Sequence, residues 1–294
     1  KALSEANTTL DQLDGVAVTS GPGLIGGVLV GVMMAKAIAR IHNLPYFAIN
    51  HLEGHALTPR LTEDNLNFPY LLLLVSGGHT QILVVKGVGD YEELGTTIDD
   101  ALGEAFDKTA KLLGLGYPGG PAVEAYAEKC KDIDAALERF PLPRSMVGRE
   151  GFDMSFSGLK TAVRRHVEKL PPSERSDEST IADLCAAFQT TIGVILKKRV
   201  GKAMDFFLEN HAPANTPSLV ISGGVAANLY LRNILTELTN QHKMRFAAPP
   251  VKLCSDNAVM IAWAGLERLE RNMISDINTT PRPRWPLTEL GTSA

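Results

Sequence analysis

LLVSGG at residues 73–78 and LVISGG at residues 219–224 are near-copies of one unit, an apolar run that ends in a serine and two glycines. Short apolar runs bounded by glycine are typical of buried strands. Without a Cβ atom, glycine lets backbone N–H groups approach an anion closely. The repeat predicts two phosphate-facing turns on two half-sheets of a duplicated α/β domain, with a nucleotide between the lobes. The glycines could equally serve only to turn the chain.

The segments around the repeat alternate between strand and helix patterns. Residues 15–20 and 45–50 fit buried strands, and the apolar helix pattern at 27–43 between them gives a β-α-β order. The first repeat continues into a second apolar strand, which predicts a tight hairpin at Ser76–Gly78. We expect a remainder of an N-terminal α/β lobe at 1–95 and a second α/β lobe at 96–294, with a helical insertion around 120–215.

Further helices are predicted by their apolar period and their end signals. They are a helix at 97–114 that begins near Asp99 or Asp100 and ends at Gly114, a helix at 157–170, a long helix or helix pair at 181–210, and a last helix that begins at Asp256.

Composition excludes several classes of protein. The chain has 294 residues, 45% of them hydrophobic and 21% charged, with a net charge of -4. These values exclude disordered tails and disulfide-dense miniproteins, and they argue against binding nucleic acid by bulk charge. Three cysteines without a C-x-x-C motif favour a reducing compartment, so we expect a cytoplasmic location. The apolar stretch from Leu24 to Met34 is shorter than the ~20 residues of a membrane helix, so no membrane span is expected.

The sequence NHLEGH at residues 50–55 places His51 and His55 at positions i and i+4. On a helix these side chains share a face and can reach one metal ion. The spacing is similar to the H-E-x-x-H motif of metalloproteases, but Leu52 follows His51, and Glu53 falls on another face. Asp256 could complete a set of two histidines and one carboxylate. Two unrelated polar histidines and a helix-capping Asp256 remain the alternative interpretation.

Other charged positions permit two interpretations. Asp107 and Lys111 could form only a surface pair on a helix, and Glu124 could be solvated. The basic clusters at 164–166, 197–199 and 282–284 could be solvated faces or contacts to a phosphate backbone.

Taken together, these strings make the chain similar to one family, the bacterial tRNA N6-adenosine threonylcarbamoyltransferases. The resemblance extends over almost the whole chain. It is carried by VTSGPGLIGGVLVG (18–31), NHLEGH (50–55), LVSGGHT (74–80), DDALGEAFDK (99–108), YPGGP (117–121), FSGLK (156–160), SGGVAAN (222–228) and SDNA (255–258).

The resemblance implies a two-lobed fold of the actin, Hsp70 and sugar-kinase type. It implies one divalent metal, with Fe2+ favoured over Zn2+, on His51, His55 and Asp256. It also implies an adenine nucleotide in the cleft, as AMP, ATP or threonylcarbamoyl-AMP. The residues expected to contact this substrate are Leu74, Val75, Ser76, Gly77, Gly78, Asp107, Gly120, Glu124 and Asn228.

The implied reaction transfers threonylcarbamoyl from threonylcarbamoyl-AMP to N6 of adenosine 37 in tRNAs that read ANN codons. The implied partners are tRNA, a paralogous dimerisation subunit and a small P-loop ATPase, with a homodimer when the chain is alone. The helix that starts at Gly27 is a candidate dimer surface or an ordinary core helix. Family members begin with a strand hairpin, and this sequence starts after the corresponding point. If that hairpin is absent from the protein, we expect weakened nucleotide affinity and little activity.

Three alternative functions stay open from the sequence. A small-molecule kinase of the same fold would use the glycine turns but not the histidine pair. A metalloprotease would use the histidines but lacks the glutamate of its motif. A non-catalytic scaffold would resemble the dimerisation paralogue, and the set of His51, His55 and Asp256 argues against it.

Overall fold

The computed structural model describes residues 1–211 and 216–291, which form two compact units. Unit 1 contains Lys1–Phe68, Val85–Glu92 and the chain from Ser255 onward. Unit 2 contains Pro69–Val84 and Glu93–Cys254. Each unit combines segments that are not continuous in sequence, whereas the division predicted at residue 95 gave each domain one continuous segment.

Helices and strands alternate in the first half of the chain, and helices dominate the second. The elements are α1 (Ala2–Glu5), β1 (Val16–Gly21), α2 (Ile25–His42), β2 (Tyr46–Asn50), α3 (His51–Thr62), β3 (Tyr70–Val75), β4 (Thr80–Gly87), β5 (Asp90–Thr96), α4 (Leu102–Leu112), α5 (Gly119–Ala127), α6 (Ile133–Arg139), α7 (Ser157–Lys169), α8 (Glu178–Asn210), β6 (Ser218–Ser222), α9 (Leu229–Gln241), β7 (Arg245–Ala247) and α10 (Ala258–Leu269).

Unit 1 is built on the predicted β-α-β order. Strands β1 and β2 pair in parallel, with Val16 opposite Tyr46, and α2 connects them. Helices α3 and α10 pack together, and their core includes Leu57, Met260 and Ala264. This packing matters for function because α3 and the segment before α10 carry the candidate metal ligands.

Unit 2 is built on a five-stranded sheet in the order β5-β4-β3-β6-β7. Strand β3 runs parallel to β6, and Leu74 lies opposite Ser222. The two Ser-Gly-Gly turns therefore follow neighbouring parallel strands at the same edge of one sheet. The prediction that they lie on two half-sheets is wrong, because β3 and β6 pair directly with each other in one sheet.

Among the residues that the structure describes, two helices, α2 and α8, are long and apolar enough to cross a membrane by length and composition. Helix α8 spans 33 residues and is mostly buried inside the protein, as a core helix is. Helix α2 is mostly exposed and carries apolar side chains on its surface, including Val30 and Met34. The absence of a membrane span stays a prediction.

Two predicted helix starts are wrong. Helix α4 begins at Leu102, whose N–H donates to Thr80 Oγ1 at 2.8 Å. The Asp99 carboxylate instead accepts hydrogen bonds at the start of α7, from the N–H groups of Phe156 and Ser157 at 2.8 and 3.2 Å. Helix α10 begins at Ala258 rather than at Asp256. The neighbouring Asn257 is the N-cap of α10, whereas the acceptor for the first N–H group of α4 is Thr80 on strand β4.

Candidate metal centre and ligand-binding turns

The two histidines are placed by the junction between β2 and α3. The chain leaves the buried strand β2 at Asn50, whose side chain caps α3 by accepting from Leu52 N–H at 2.9 Å. His51 is the first residue of α3, and His55 follows one turn later on the same face. The ring centroids are 4.9 Å apart, and the rings are nearly perpendicular. The His55 side chain is fully buried, and that of His51 is largely buried.

Asp256 lies directly before α10 and faces both imidazoles. Its neighbour Asn257 caps that helix by accepting from Met260 N–H at 2.9 Å, so the Asp256 carboxylate does not serve as the cap. Asp256 Oδ1 lies 3.3 Å from His51 Nε2 and 3.1 Å from His55 Nε2. Hydrogen bonds from His51 and His55 hold the pKa of Asp256 well below its ordinary value, against the effect of burial.

The three side chains fit a divalent transition metal. One ligand atom from each of His51, His55 and Asp256 lies within 4.8 Å of the other two, and ligands of one such ion lie roughly 3–4 Å apart. Two imidazoles and one carboxylate are the set that non-haem Fe2+ sites use, with positions left open for other ligands. A cavity of about 830 Å³ opens beside His51 and Asp256, which gives the site an accessible side.

The first Ser-Gly-Gly turn is a tight, exposed hairpin turn, as predicted. Ser76 N–H donates to His79 O at 2.8 Å, and Ser76 Oγ accepts from His79 N–H at 3.1 Å. Gly77 and Gly78 are exposed, and no atom lies within 4 Å of the position that a Cβ would occupy on either. A ligand can therefore reach the backbone of this turn.

The second Ser-Gly-Gly turn packs closely against the end of strand β3, directly before the first turn. Gly223 has φ +97°, and a Cβ there would lie 2.4 Å from Val75 O. Only glycine combines this backbone conformation with so close an approach. The exposed neighbour Gly224 follows directly, so both turns present open backbone at one sheet edge.

Two other expected substrate residues of unit 2, Asp107 and Glu124, bond to backbone N–H groups at helix starts. Asp107 Oδ1 accepts from Gly119 N–H at 2.8 Å at the first residue of α5, and the adjacent Gly120 has open space at its Cβ position. Glu124 Oε1 accepts from the N–H groups of Leu229 and Tyr230 at the start of α9, at 2.7 and 3.2 Å.

Three of the expected substrate residues are largely buried. Asn228 is the N-cap of α9, and its Nδ2 donates to Gln189 Oε1 at 3.0 Å. The side chains of Leu74 and Val75 have no exposed surface. Leu74 and Val75 therefore lie buried in strand β3, while Glu124 and Asn228 already stabilise α9.

The comparisons with known proteins agree on one family. The model of the tRNA N6-adenosine threonylcarbamoyltransferase family matches residues 1–263. A protein of that name from Rhizobium meliloti (strain 1021) is 58% identical over 288 residues, which are 98% of this chain and 78% of the relative. One from Brucella ovis is 55% identical over 289 residues, with the same coverage. The chain belongs to this family. It is a transferase that forms threonylcarbamoyladenosine on tRNA.

Solved structures show the same fold at low identity. The T. kodakarensis HypF structure superposes with a TM-score of 0.63 at 16% identity, over 92% of this chain and 42% of the HypF chain. A second HypF structure, described as phosphate- and nucleotide-bound, gives a TM-score of 0.58 at 12% identity. The chain spans less than half of either HypF protein, and the likeness concerns the fold alone. The predicted α/β fold class of the two-lobed type is confirmed.

The residue that sequence reasoning left without a role is Glu53. It lies between the two histidines on α3 and is fully buried, where its carboxylate meets Arg268 of α10 at 2.7 Å. A charged residue inside a helix segment that is buried from Leu52 to Pro59 is the signal that points to it. Arg268 could not be found from the sequence, because it is 215 positions away.

Proposed function

We propose that this transferase moves threonylcarbamoyl from threonylcarbamoyl-AMP to N6 of adenosine 37 in tRNAs that read ANN codons, with a divalent metal on His51, His55 and Asp256. The observation that carries the proposal is that both imidazole Nε2 atoms meet one oxygen of Asp256, although Asp256 lies 201 positions from His55. A small-molecule kinase of this fold would use the glycine turns but would not need the two histidines and Asp256 to meet.

The metal ligands prepare a site for the carbonyl that is attacked. A bound ion, with Fe2+ favoured and Zn2+ the alternative, would act as a Lewis acid on oxygens of the threonylcarbamoyl group. Asp256 is ionised at neutral pH because its pKa is lowered, so it contributes a negative ligand. The cavity beside His51 and Asp256 leaves one side of the ligand set open.

The turns of unit 2 would bind the adenylate part of the donor. The backbone at Gly77, Gly78 and Gly224 is exposed, and α9 begins at Leu229, shortly after the second turn. Helix starts and glycine turns at the carboxyl ends of parallel strands favour phosphate. Asp107, Gly120, Glu124 and Asn228 would line this site, and Glu124 would offer a ribose hydroxyl its Oε2 atom.

The transfer forms a bond from adenine N6 to the carbamoyl carbon and breaks the bond from that carbon to the AMP phosphate oxygen. AMP leaves with the electron pair, and N6 loses a proton to solvent. We assign no side chain as general base, because an amine that attacks a mixed anhydride can lose its proton after addition.

The chain needs partners for this work. Its net charge of -4 gives it no overall electrostatic attraction for tRNA, so we expect partner proteins to assist tRNA binding. We propose that these partners are a paralogous subunit and a small P-loop ATPase, and that the protein is cytoplasmic. The exposed apolar side chains of α2, which include Leu29, Val30, Met33 and Met34, suit the paralogous subunit, because a patch of this kind marks an interaction surface. A homodimer would form on the same helix when that subunit is absent.

The metal assignment predicts that His51→Ala loses the metal and the transfer together. The full chain is purified, iron and zinc are quantified, and transfer to unmodified tRNA is measured with the partner proteins present. We expect about one metal per wild-type chain, and for the variant at least a hundredfold less transfer with an unchanged circular dichroism spectrum.

The chain offers a matched control in His242. His242 Nε2 lies 3.2 Å from Asp205 Oδ1, with side-chain exposures of 19% and 66% against 22% and 75% for His51 and Asp256. His242→Ala should keep both metal and transfer. A His51→Ala protein that lacks metal but transfers normally would refute the proposal.

A further inference from the structure

Glu53 is the most deeply enclosed carboxylate near the metal ligands. Its side chain has no exposed surface, and both of its oxygens have partners. Oε2 accepts from Arg268 Nε at 2.7 Å. Oε1 accepts from Gly89 N–H at 3.0 Å and from the Tyr91 hydroxyl at 3.1 Å. A buried ion with both oxygens bonded holds its surroundings in one arrangement, because any shift leaves charge unpaired.

These bonds connect three elements of unit 1. Glu53 belongs to α3, Arg268 to α10, and Gly89 and Tyr91 to the hairpin between β4 and β5. Helices α3 and α10 also touch at Gly54, where a Cβ would lie 2.9 Å from Ile261 Cδ1. Helices α3 and α10 therefore approach each other closely next to Glu53, which forms an ion pair between them.

The metal ligands are divided between the same two helices. His51 and His55 flank Glu53 on α3, and Asp256 lies two residues before α10 begins. The spacing of the ligand atoms therefore depends on how α3 is placed along α10.

We propose that Glu53 and Arg268 are positioning residues that fix the metal ligands in binding geometry. This inference rests on the proposed metal site. Neither side chain touches the ligand atoms; the pair acts by holding α3 and α10 at one relative position. Metal affinity should therefore fall when the pair is broken and recover when the two side chains are matched again without charge.

The test measures metal binding directly in the whole 294-residue chain. Zn2+ affinity is measured by competition with a chromophoric chelator, and the Co2+ absorption spectrum reports the ligand geometry. In Glu53→Gln, a side chain of the same shape leaves Arg268 without its anion. We expect about tenfold weaker Zn2+ binding and a shifted Co2+ spectrum. The double variant Glu53→Gln with Arg268→Gln should recover most of the affinity and the spectrum.

A second buried pair on the same helices provides the control. Glu267 of α10 is nearly as buried as Glu53 and pairs with Arg60 Nε at 2.5 Å, in the last turn of α3 and away from the histidines. Glu267→Gln breaks a buried ion pair between α3 and α10 just as Glu53→Gln does. It should lower the melting temperature but leave Zn2+ affinity within about twofold and the Co2+ spectrum unchanged.

The outcomes separate the two proposals. Wild-type affinity and spectrum in Glu53→Gln would overturn the positioning role and leave the metal site standing. Equal losses in Glu267→Gln, or no recovery in the double variant, would also overturn it. A wild-type chain that binds neither ion would refute the proposed function itself. If Glu53→Gln does not fold, Arg268→Lys, which keeps the charge but not the Nε geometry, is measured in the same way and should bind Zn2+ more weakly.

Discussion

At the residue scale, the Asp99 carboxylate joins segments that lie 57 residues apart. It accepts from the hydroxyl groups of Ser155 and Ser157 at 2.6 and 2.7 Å, in addition to the two N–H groups at the start of α7. Burial alone would raise the pKa of Asp99, but these four hydrogen bonds outweigh it and hold the pKa below 3.8. A carboxylate at a helix start also interacts favourably with the helix dipole.

Asp99→Asn should therefore destabilise the protein by about 1 kcal/mol at neutral pH, by weakening a charged cap. The pKa of Asp99 is lower in the folded protein than its value of 3.8 in the unfolded chain. The ionised carboxylate therefore stabilises the fold fully above pH 3.8, and this stabilisation is lost as the pH falls through the pKa of the folded state. The difference between variant and wild type should shrink in that acidic range. Urea unfolding at neutral and acidic pH measures it.

The adjacent Asp100 provides the comparison for this prediction. Asp100 forms an ion pair with Lys108 Nζ at 2.7 Å, and the side chain of Lys108 is 33% exposed to solvent. Asp100→Asn should cost less than 1 kcal/mol. A cost for Asp99→Asn that stays constant down to acidic pH would contradict the role of its charge.

At the scale of elements, Arg199 on α8 secures the irregular segment before α7. The residue is almost completely buried, and its guanidinium donates to four backbone carbonyls. Nη1 donates to Met146 O and Arg149 O at 3.0 and 2.8 Å, and Nη2 to Glu150 O and Gly151 O at 3.4 and 2.8 Å. A segment without regular structure thus obtains the hydrogen bonds that its carbonyls require.

Replacing this guanidinium should release the segment. Arg199→Met leaves the carbonyls without donors, and we expect a loss of about 3 kcal/mol in the free energy of unfolding. Limited proteolysis should cut the variant between residues 141 and 156, with the sites identified by mass spectrometry. The exposed Lys202 on the same helix gives the control, since Lys202→Met should cost about 0.5 kcal/mol or less. Equal resistance of Arg199→Met and wild type would contradict this role.

The sequence predicted the elements themselves better than their ends and partners. Strands β1, β2 and β6 and helices α2 and α7 lie where periodicity placed them, because each carries a regular apolar pattern. The start of α4 was missed because the side chain that accepts from its first N–H group, Thr80 Oγ1, lies on strand β4. The shared face of His51 and His55 follows from helical spacing alone. Their contact with Asp256, and the ties between Glu53 and Arg268, depend on packing between distant segments, which no local pattern encodes.

At the scale of the whole molecule, α2 carries the exposed apolar side chains that we propose as the surface for the paralogous subunit. Val30 is 71% exposed and Met34 is 63% exposed, one turn apart on the same helix face. Burying such side chains against a partner contributes roughly 25 cal/mol for each Å² of apolar surface removed from water. A negative charge at these positions would cost the isolated chain little, because both side chains are solvated there. It would oppose burial in an interface, because a buried unpaired charge is strongly unfavourable.

Val30→Glu combined with Met34→Glu should therefore weaken association with the paralogous subunit by at least tenfold, while Zn2+ affinity and the melting temperature stay unchanged. Light scattering and a titration with labelled partner measure this. Ile274→Glu gives the matched control, since Ile274 is also in unit 1 and is 56% exposed. Undiminished partner binding by the double variant would refute the proposed surface. Cosedimentation of the wild-type chain, but not the variant, with lipid vesicles would assign α2 to a membrane surface instead.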